Sequence, residues 1–220
     1  MITVWGRRNS LNVQKVLWAL GELDLPFERH NVGGSFGGND TEDFKALNPN
    51  GLVPVIRDGD IVMFESNAIV RYLCARYGHN GLKPKDAAGL AASEQWMDWT
   101  QLTLGPPAMA LFMQRVRTAP EKQNAAAIDN AIAQLKKVMP VVDAALANSP
   151  YLGGEELTFG DIPLGVYQWR LNAFDWPRPD LPNLRRWFER LQDRAAYRKW
   201  VMIPVGRSPE EWLANEKALA

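Results

Sequence analysis

The spacing of apolar residues changes near residue 80, and this change constrains the fold more than any other feature of the chain. Before it, short runs alternate between strand and helix periods; after it, every periodic segment is helical. Ile2 to Trp5 reads as a short apolar strand. Ser10 caps a helix carrying Val13, Val16, Leu17, Leu20 and Leu23, which Leu25-Pro26 ends. Phe27 to Val32 alternates apolar and polar residues as a second strand. Gly33 to Asn39 reads as a mobile glycine-rich loop, and Thr41 to Leu47 as a short helix capped by Thr41. Asn48-Pro49-Asn50-Gly51 is a strong turn signal. Two strands then follow, joined by Asp58-Gly59, a favoured hairpin dipeptide. Glu65-Ser66 opens a helix with Ile69, Val70, Leu73 and Tyr77 at helical spacing.

The order βαβ, then αββα, predicts an α/β domain of thioredoxin-like type over residues 1–80. The turn Gly78-His79-Asn80-Gly81 closes it. An all-α domain is expected over 87–220. Its first segment, Ala87 to Arg117, is long, with a kink at Gly105-Pro106-Pro107. Glu121 to Ala147 places Ile128, Ile132, Leu135, Val138, Val142 and Leu146 on one face, and Pro140 bends it. Shorter helices are expected over Thr158 to Phe174, Leu184 to Leu191 and Ala195 to Met202. Glu210 to Leu219 reads as an exposed tail helix.

Composition excludes some functions. Acidic and basic residues are 25 each, so no overall field draws in nucleic acid or an anionic membrane. The single cysteine, Cys74, cannot form an intramolecular disulfide and fits a reducing compartment. Met1 to Trp5 is unlike a secretory leader, and no apolar run is long enough to span a bilayer. A cytoplasmic protein is the expectation. His30 and His79 have neither cysteine partners nor an HExxH frame, so no metal is expected. The glycines at 33–38 lack the Gly-Lys-Ser/Thr of a phosphate loop. Most of the nine tryptophans are expected in the core or in a pocket wall.

The chemistry concentrates at Glu65-Ser66. At a helix start, free N–H groups and the positive end of the dipole attract an anion. The Ser66 hydroxyl and amide could take a carboxylate, and Glu65 an ammonium beside it. That pair suits an α-amino-acid head group. The alternative is that Ser66 only caps the helix and Glu65 only favours its dipole.

A thioredoxin-like half followed by a helical half, with this Glu-Ser helix start, resembles the cytosolic glutathione transferase family. The resemblance covers nearly the whole chain. Gly51-Leu52-Val53-Pro54-Val55 is similar to the family segment in which a cis proline exposes the preceding residue to glutathione's backbone. Val53 and Pro54 would then bind glutathione, with Glu65 and Ser66 at its γ-glutamyl end. Related sequences often carry a basic residue where this chain has Leu52. The loop Arg8-Asn9-Ser10-Leu11-Asn12-Val13-Gln14-Lys15-Val16 has no tyrosine or cysteine, and its Ser-x-Asn-x-x-Lys-Val pattern resembles bacterial theta- and nu-like members. Ser10 and Asn12 are therefore the candidates for holding the thiolate. Free thiol has a pKa of about 8.5, so donation to sulfur is needed to make thiolate dominant at neutral pH.

Leu157-Thr158-Phe159-Gly160-Asp161-Ile162 reads as a capping-box variant with Leu157 and Ile162 as its staple, a folding motif that recurs in the family. Gln95-Trp96-Met97-Asp98-Trp99-Thr100, ending at Gly105-Pro106, lies on the helix that in the family lines the acceptor pocket. Trp99, Thr103 and Pro106 are the expected pocket residues. The resemblance implies glutathione as cosubstrate, a small apolar electrophile as acceptor, a homodimer and no metal. Two other functions share the fold: a glutathione-dependent disulfide or peroxide reductase, and a binding module that makes no thiolate. Glu65-Ser66 argues against the second. A protein-thiol oxidoreductase is disfavoured, because Gly6 to Asn12 contains no cysteine.

Overall fold

Strand β1 (Ile2–Trp5) enters the core at once, with Ile2 and Val4 facing inward. The computed structural model describes residues 1–78 and 82–220; the turn expected at Gly78-His79-Asn80-Gly81 lies, apart from Gly78, outside them. Helix α1 (Leu11–Glu22) returns the chain to β2 (Phe27–His30), which pairs parallel with β1. Helix α2 (Glu42–Leu47) has Thr41 as its cap, its hydroxyl accepting from the Phe44 amide. Strands β3 (Val55–Asp58) and β4 (Ile61–Phe64) complete a mixed sheet in the order β2-β1-β3-β4. Asp58 pairs with Ile61, so the hairpin loop is Gly59-Asp60 rather than Asp58-Gly59. Positive φ occurs only at the first loop position, Gly59, the pattern of a type II′ turn. Helix α3 (Ser66–Tyr77) packs on α1. This is the expected thioredoxin-like half.

The remaining elements are helical. The segment expected over Ala87 to Arg117 is α4 (Ala87–Trp99), a π-helical turn (Thr100–Leu104), α5 (Gly105–Phe112) and a second π turn (Met113–Arg117). Pro106 and Pro107 supply no N–H, and the π turn widens the helix just before the missing donors. Helix α6 (Ala125–Ala145) begins four residues after the expected Glu121, because Asn124 caps it by accepting from the Ala127 amide. Helices α7 (Asp161–Asn172), α8 (Pro182–Gln192), α9 (Ala195–Trp200) and α10 (Pro209–Ala218) follow.

Helix α1 joins the halves. It contacts α3 on one side and α7 and α9 on the other, and Val13 to Leu20 are all buried. Its two buried polar residues are satisfied across that seam. The Gln14 side-chain amide donates to the carbonyls of Trp200 and Val201, at 3.2 and 3.1 Å. Lys15 donates to Asn67 and Gln101. Trp18 and Trp187 are fully buried, as expected of core tryptophans.

The Thr158–Asp161 motif is more extensive than a capping box. The Asp161 carboxylate accepts from the amides of Thr158 and Leu152 and from the Trp187 indole, while Thr158 Oγ1 accepts from the Gly160 amide. Leu157 and Ile162 are buried beside it. Helix α10 is not an exposed tail. Trp212 and Glu216 are buried, and the Glu216 carboxylate meets Arg7 at 2.8 Å and the Ser35 amide at 2.7 Å. The same contact fixes the glycine loop expected to be mobile. A Cβ at Gly34 would lie 2.6 Å from Arg7 Cδ and 2.7 Å from Glu216 Oε1, so only glycine fits there.

Among the described residues, no helix is long and apolar enough to cross a membrane.

Candidate active site

Two helix N-termini meet in one cleft. Ser10, Leu11 and Asn12 bring the start of α1 to it, and Glu65 and Ser66 the start of α3. Neither helix has an acidic residue within its first turn, so the start of α1 is left for a ligand, while the Glu65 carboxylate stands at the N-cap of α3. The cleft measures about 310 Å³ and is also lined by Val53 and Pro54. All six residues assigned from the sequence to catalysis and glutathione binding thus share one cavity.

Ser10 and Glu65 are uncommitted there, whereas Ser66 and Asn12 are joined to each other. Ser10 occupies the N-cap position of α1 but makes no capping hydrogen bond. Its hydroxyl is free to donate to a group in the cleft. Ser66 Oγ lies 3.2 Å from Asn12 Oδ1 and donates to it, joining the two helix starts directly. With Asn12 Oδ1 so engaged, its amide NH₂ remains a donor. Glu65 is exposed and makes no capping bond, and its φ of +68° is an uncommon left-handed conformation for a non-glycine residue. The Val53–Pro54 peptide is cis. Val53 lies outside β3 and, among the described residues, has no main-chain hydrogen bond of its own. Asn48 shapes the approach to it: the buried side chain donates to the Leu52 carbonyl at 2.7 Å and accepts from the Asn50 amide. Leu52 lines the cleft where a basic residue was the family expectation.

The second half supplies the opposite wall, but not from the residues expected. Trp99, Thr103 and Pro106 do not line the cleft; Met109, Phe112, Met113 and Arg117 do. The π turn at Thr100–Leu104 adds a residue to the helical turn and rotates every later side chain about its axis. Trp99 ends α4 before that turn, and of the Ala87–Arg117 segment the cleft is lined only from Met109 onward. The 109/112/113/117 spacing is itself a helical stripe and was the signal available.

Arg170 and Trp212 complete that wall, and Arg7 and Asn9 extend the α1 loop. Arg170 is buried. It donates to the Asn9 carbonyl and to Gln14 Oε1, stands 4.9 Å over the Phe112 ring, and is drawn down to about 9 by burial. Burial likewise lowers Arg7, against the opposing pull of Glu216. Nothing local in the sequence marks these arginines, because their partners come from distant segments. Among the described residues, no three His, Cys, Asp or Glu side chains converge as a metal site.

Comparison with known proteins places this chain beside one family. Residues 5–81 match the family model described as glutathione S-transferase, N-terminal domain, and residues 95–195 its C-terminal domain. Glutathione S-transferase GstB of Escherichia coli is 45% identical over 207 residues, covering 93% of this chain and all of that protein. Glutathione S-transferase 3 of Zea mays is 35% identical, over 94% of this chain and 97% of its own. A theta class glutathione S-transferase of Xanthomonas axonopodis pv. citri, solved with glutathione bound, superposes with a TM-score of 0.89. It is 45% identical, over 93% of this chain and 99% of its own.

Proposed function

The chain belongs to the glutathione S-transferase family and is a glutathione transferase, and from that premise we propose a residue-level site. Glutathione is the cosubstrate. Its γ-glutamyl carboxylate takes the first amides of α3 and the Ser66 hydroxyl, which turns to it from Asn12 Oδ1, and its ammonium takes Glu65. Its cysteinyl backbone pairs with Val53 beside Pro54. Ser10 and Asn12 donate to the sulfur. The thiol proton leaves to solvent, and the thiolate attacks an electrophilic carbon, forming a C–S bond as the leaving group departs with its electron pair.

The observation that carries this reading is the uncommitted Ser10 hydroxyl beside the Ser66–Asn12 hydrogen bond, where the starts of α1 and α3 meet. A hydrogen bond to a charged acceptor contributes about 1.5–3 kcal/mol. Ser66→Ala and Glu65→Gln are each expected to weaken glutathione binding by that amount in a folded protein. Unchanged affinity by calorimetry in both variants would refute the site.

The acceptor lies against Met109, Phe112, Met113 and Trp212. The protein acts as a homodimer, and its role is removal of cytoplasmic electrophiles. Support for the dimer is the family, together with exposed Val62, Leu90 and Leu102. Sedimentation equilibrium at the mass of one 24.7 kDa chain would refute it.

A further inference from the structure

The acceptor wall is electrostatically unbalanced. Arg7, Arg117 and Arg170 all line it, and Arg117 and Arg170 share one aromatic platform, at 5.1 and 5.3 Å from the Trp212 ring. Glu216 lies 2.8 Å from Arg7 and offsets it. Arg170 donates only to neutral acceptors, the Asn9 carbonyl and Gln14. Arg117 has no hydrogen bond or ion pair among the described residues; its guanidinium is held by Trp212 alone. Glu65, the carboxylate that lines the cleft itself, stands with Ser66 at the start of α3. Arg170 is a buried cation with no anionic partner and Arg117 stands exposed on the same indole ring, so an anion placed between them is attracted to both. Phe112 and Trp212 are buried and meet edge to face at 5.1 Å, and the more accessible Met109 and Met113 beside them offer the apolar contact.

We propose that the acceptor is an electrophile with an apolar body and a carboxylate, and that Arg117 is the residue that reads the carboxylate. This rests on the glutathione reading above and narrows its acceptor class. A guanidinium beside an indole, with no hydrogen bond of its own, keeps its N–H groups available to take a carboxylate through two parallel hydrogen bonds. Arg170 adds field without being a direct partner, while Arg7 is offset by Glu216.

Two glutathione conjugates separate the possibilities, S-(4-carboxy-2-nitrophenyl)glutathione and S-(4-carbamoyl-2-nitrophenyl)glutathione, which differ only in charge. Both are titrated calorimetrically, with glutathione itself as reference, into the full-length protein and into R117Q and R117K. The wild type is expected to bind the carboxylate conjugate about tenfold tighter than the amide, a preference that shrinks as salt rises. R117Q should bring the two conjugates close to equality while glutathione affinity holds, and R117K should keep part of the preference. Equal affinities in the wild type, or a preference that survives R117Q, would overturn the proposal. So would an R117Q protein that loses the same factor on glutathione and both conjugates, since Arg117 would then be reading glutathione's own carboxylate. Failure of the wild type to bind glutathione at all would instead overturn the underlying site.

Discussion

Lys15 carries an ammonium group into the seam between the two halves of the molecule, with no exposed surface. Its partners are neutral: Asn67 at 3.3 Å, Gln101 at 3.4 Å and the Tyr167 ring at 5.8 Å. Burial draws its pKa from 10.5 down to about 7, with Glu65 opposing and Arg170 assisting. The sign of the consequence is definite. Between those two values the unfolded chain holds more protons than the folded one, so stability rises with pH. Cys74 acts in the opposite direction only above its ordinary value of 9.0, because burial raises it to about 12. From pH 7 to 9 the wild type should therefore gain stability, and Lys15→Met should flatten that slope; equal slopes in urea midpoints would contradict the assignment. Ser10, Asn12 and Ser66 were legible in the sequence because each sits at a helix start, which local patterning marks. Arg7, Arg170 and the burial of Lys15 were not, because segments far apart in the chain create those environments.

Asp161 shows how one residue can fasten several elements. Its carboxylate ties the loop at Leu152, the start of α7 and, through Trp187, helix α8. Asp161→Ala leaves three buried donors without an acceptor, each worth about 1–3 kcal/mol. A loss of about 3 kcal/mol or more is expected in denaturant midpoint, with turnover of the folded protein preserved at low temperature. A fully stable variant without turnover would contradict the structural role. The sequence identified this motif by its cap and staple, but could not show that Trp187 joins it from 26 residues away. The elements themselves were legible wherever a whole face is buried, as in α1 and α6. Helix α10 was misread as a tail because only Trp212 and Glu216 are buried on it, too few to leave a periodic stripe. The expected Trp99, Thr103 and Pro106 lie earlier on the Ala87–Arg117 segment than the residues that line the cleft, whose 109/112/113/117 stripe was the overlooked signal.

At the scale of the whole molecule, the cleft exists because α1 is enclosed by both halves, so that its start faces α3, α5 and the returning α10 together. The α/β half presents donors and helix dipoles, and the helical half presents aromatic, thioether and guanidinium groups. This division was legible in the change of apolar period near residue 80; the return of α10 across the cleft was not. The central claim is that Ser10 and Asn12 hold glutathione's sulfur as a thiolate, and its most direct measurement is ultraviolet titration of the bound thiol near 240 nm. The wild-type complex should show thiolate at neutral pH. Ser10→Ala and Asn12→Ala should each raise the bound thiol's pKa by about one to two units, and the double variant should bring it close to the free value of about 8.5. A wild-type complex with no thiolate at neutral pH, or a double variant that titrates as the wild type does, would contradict the account.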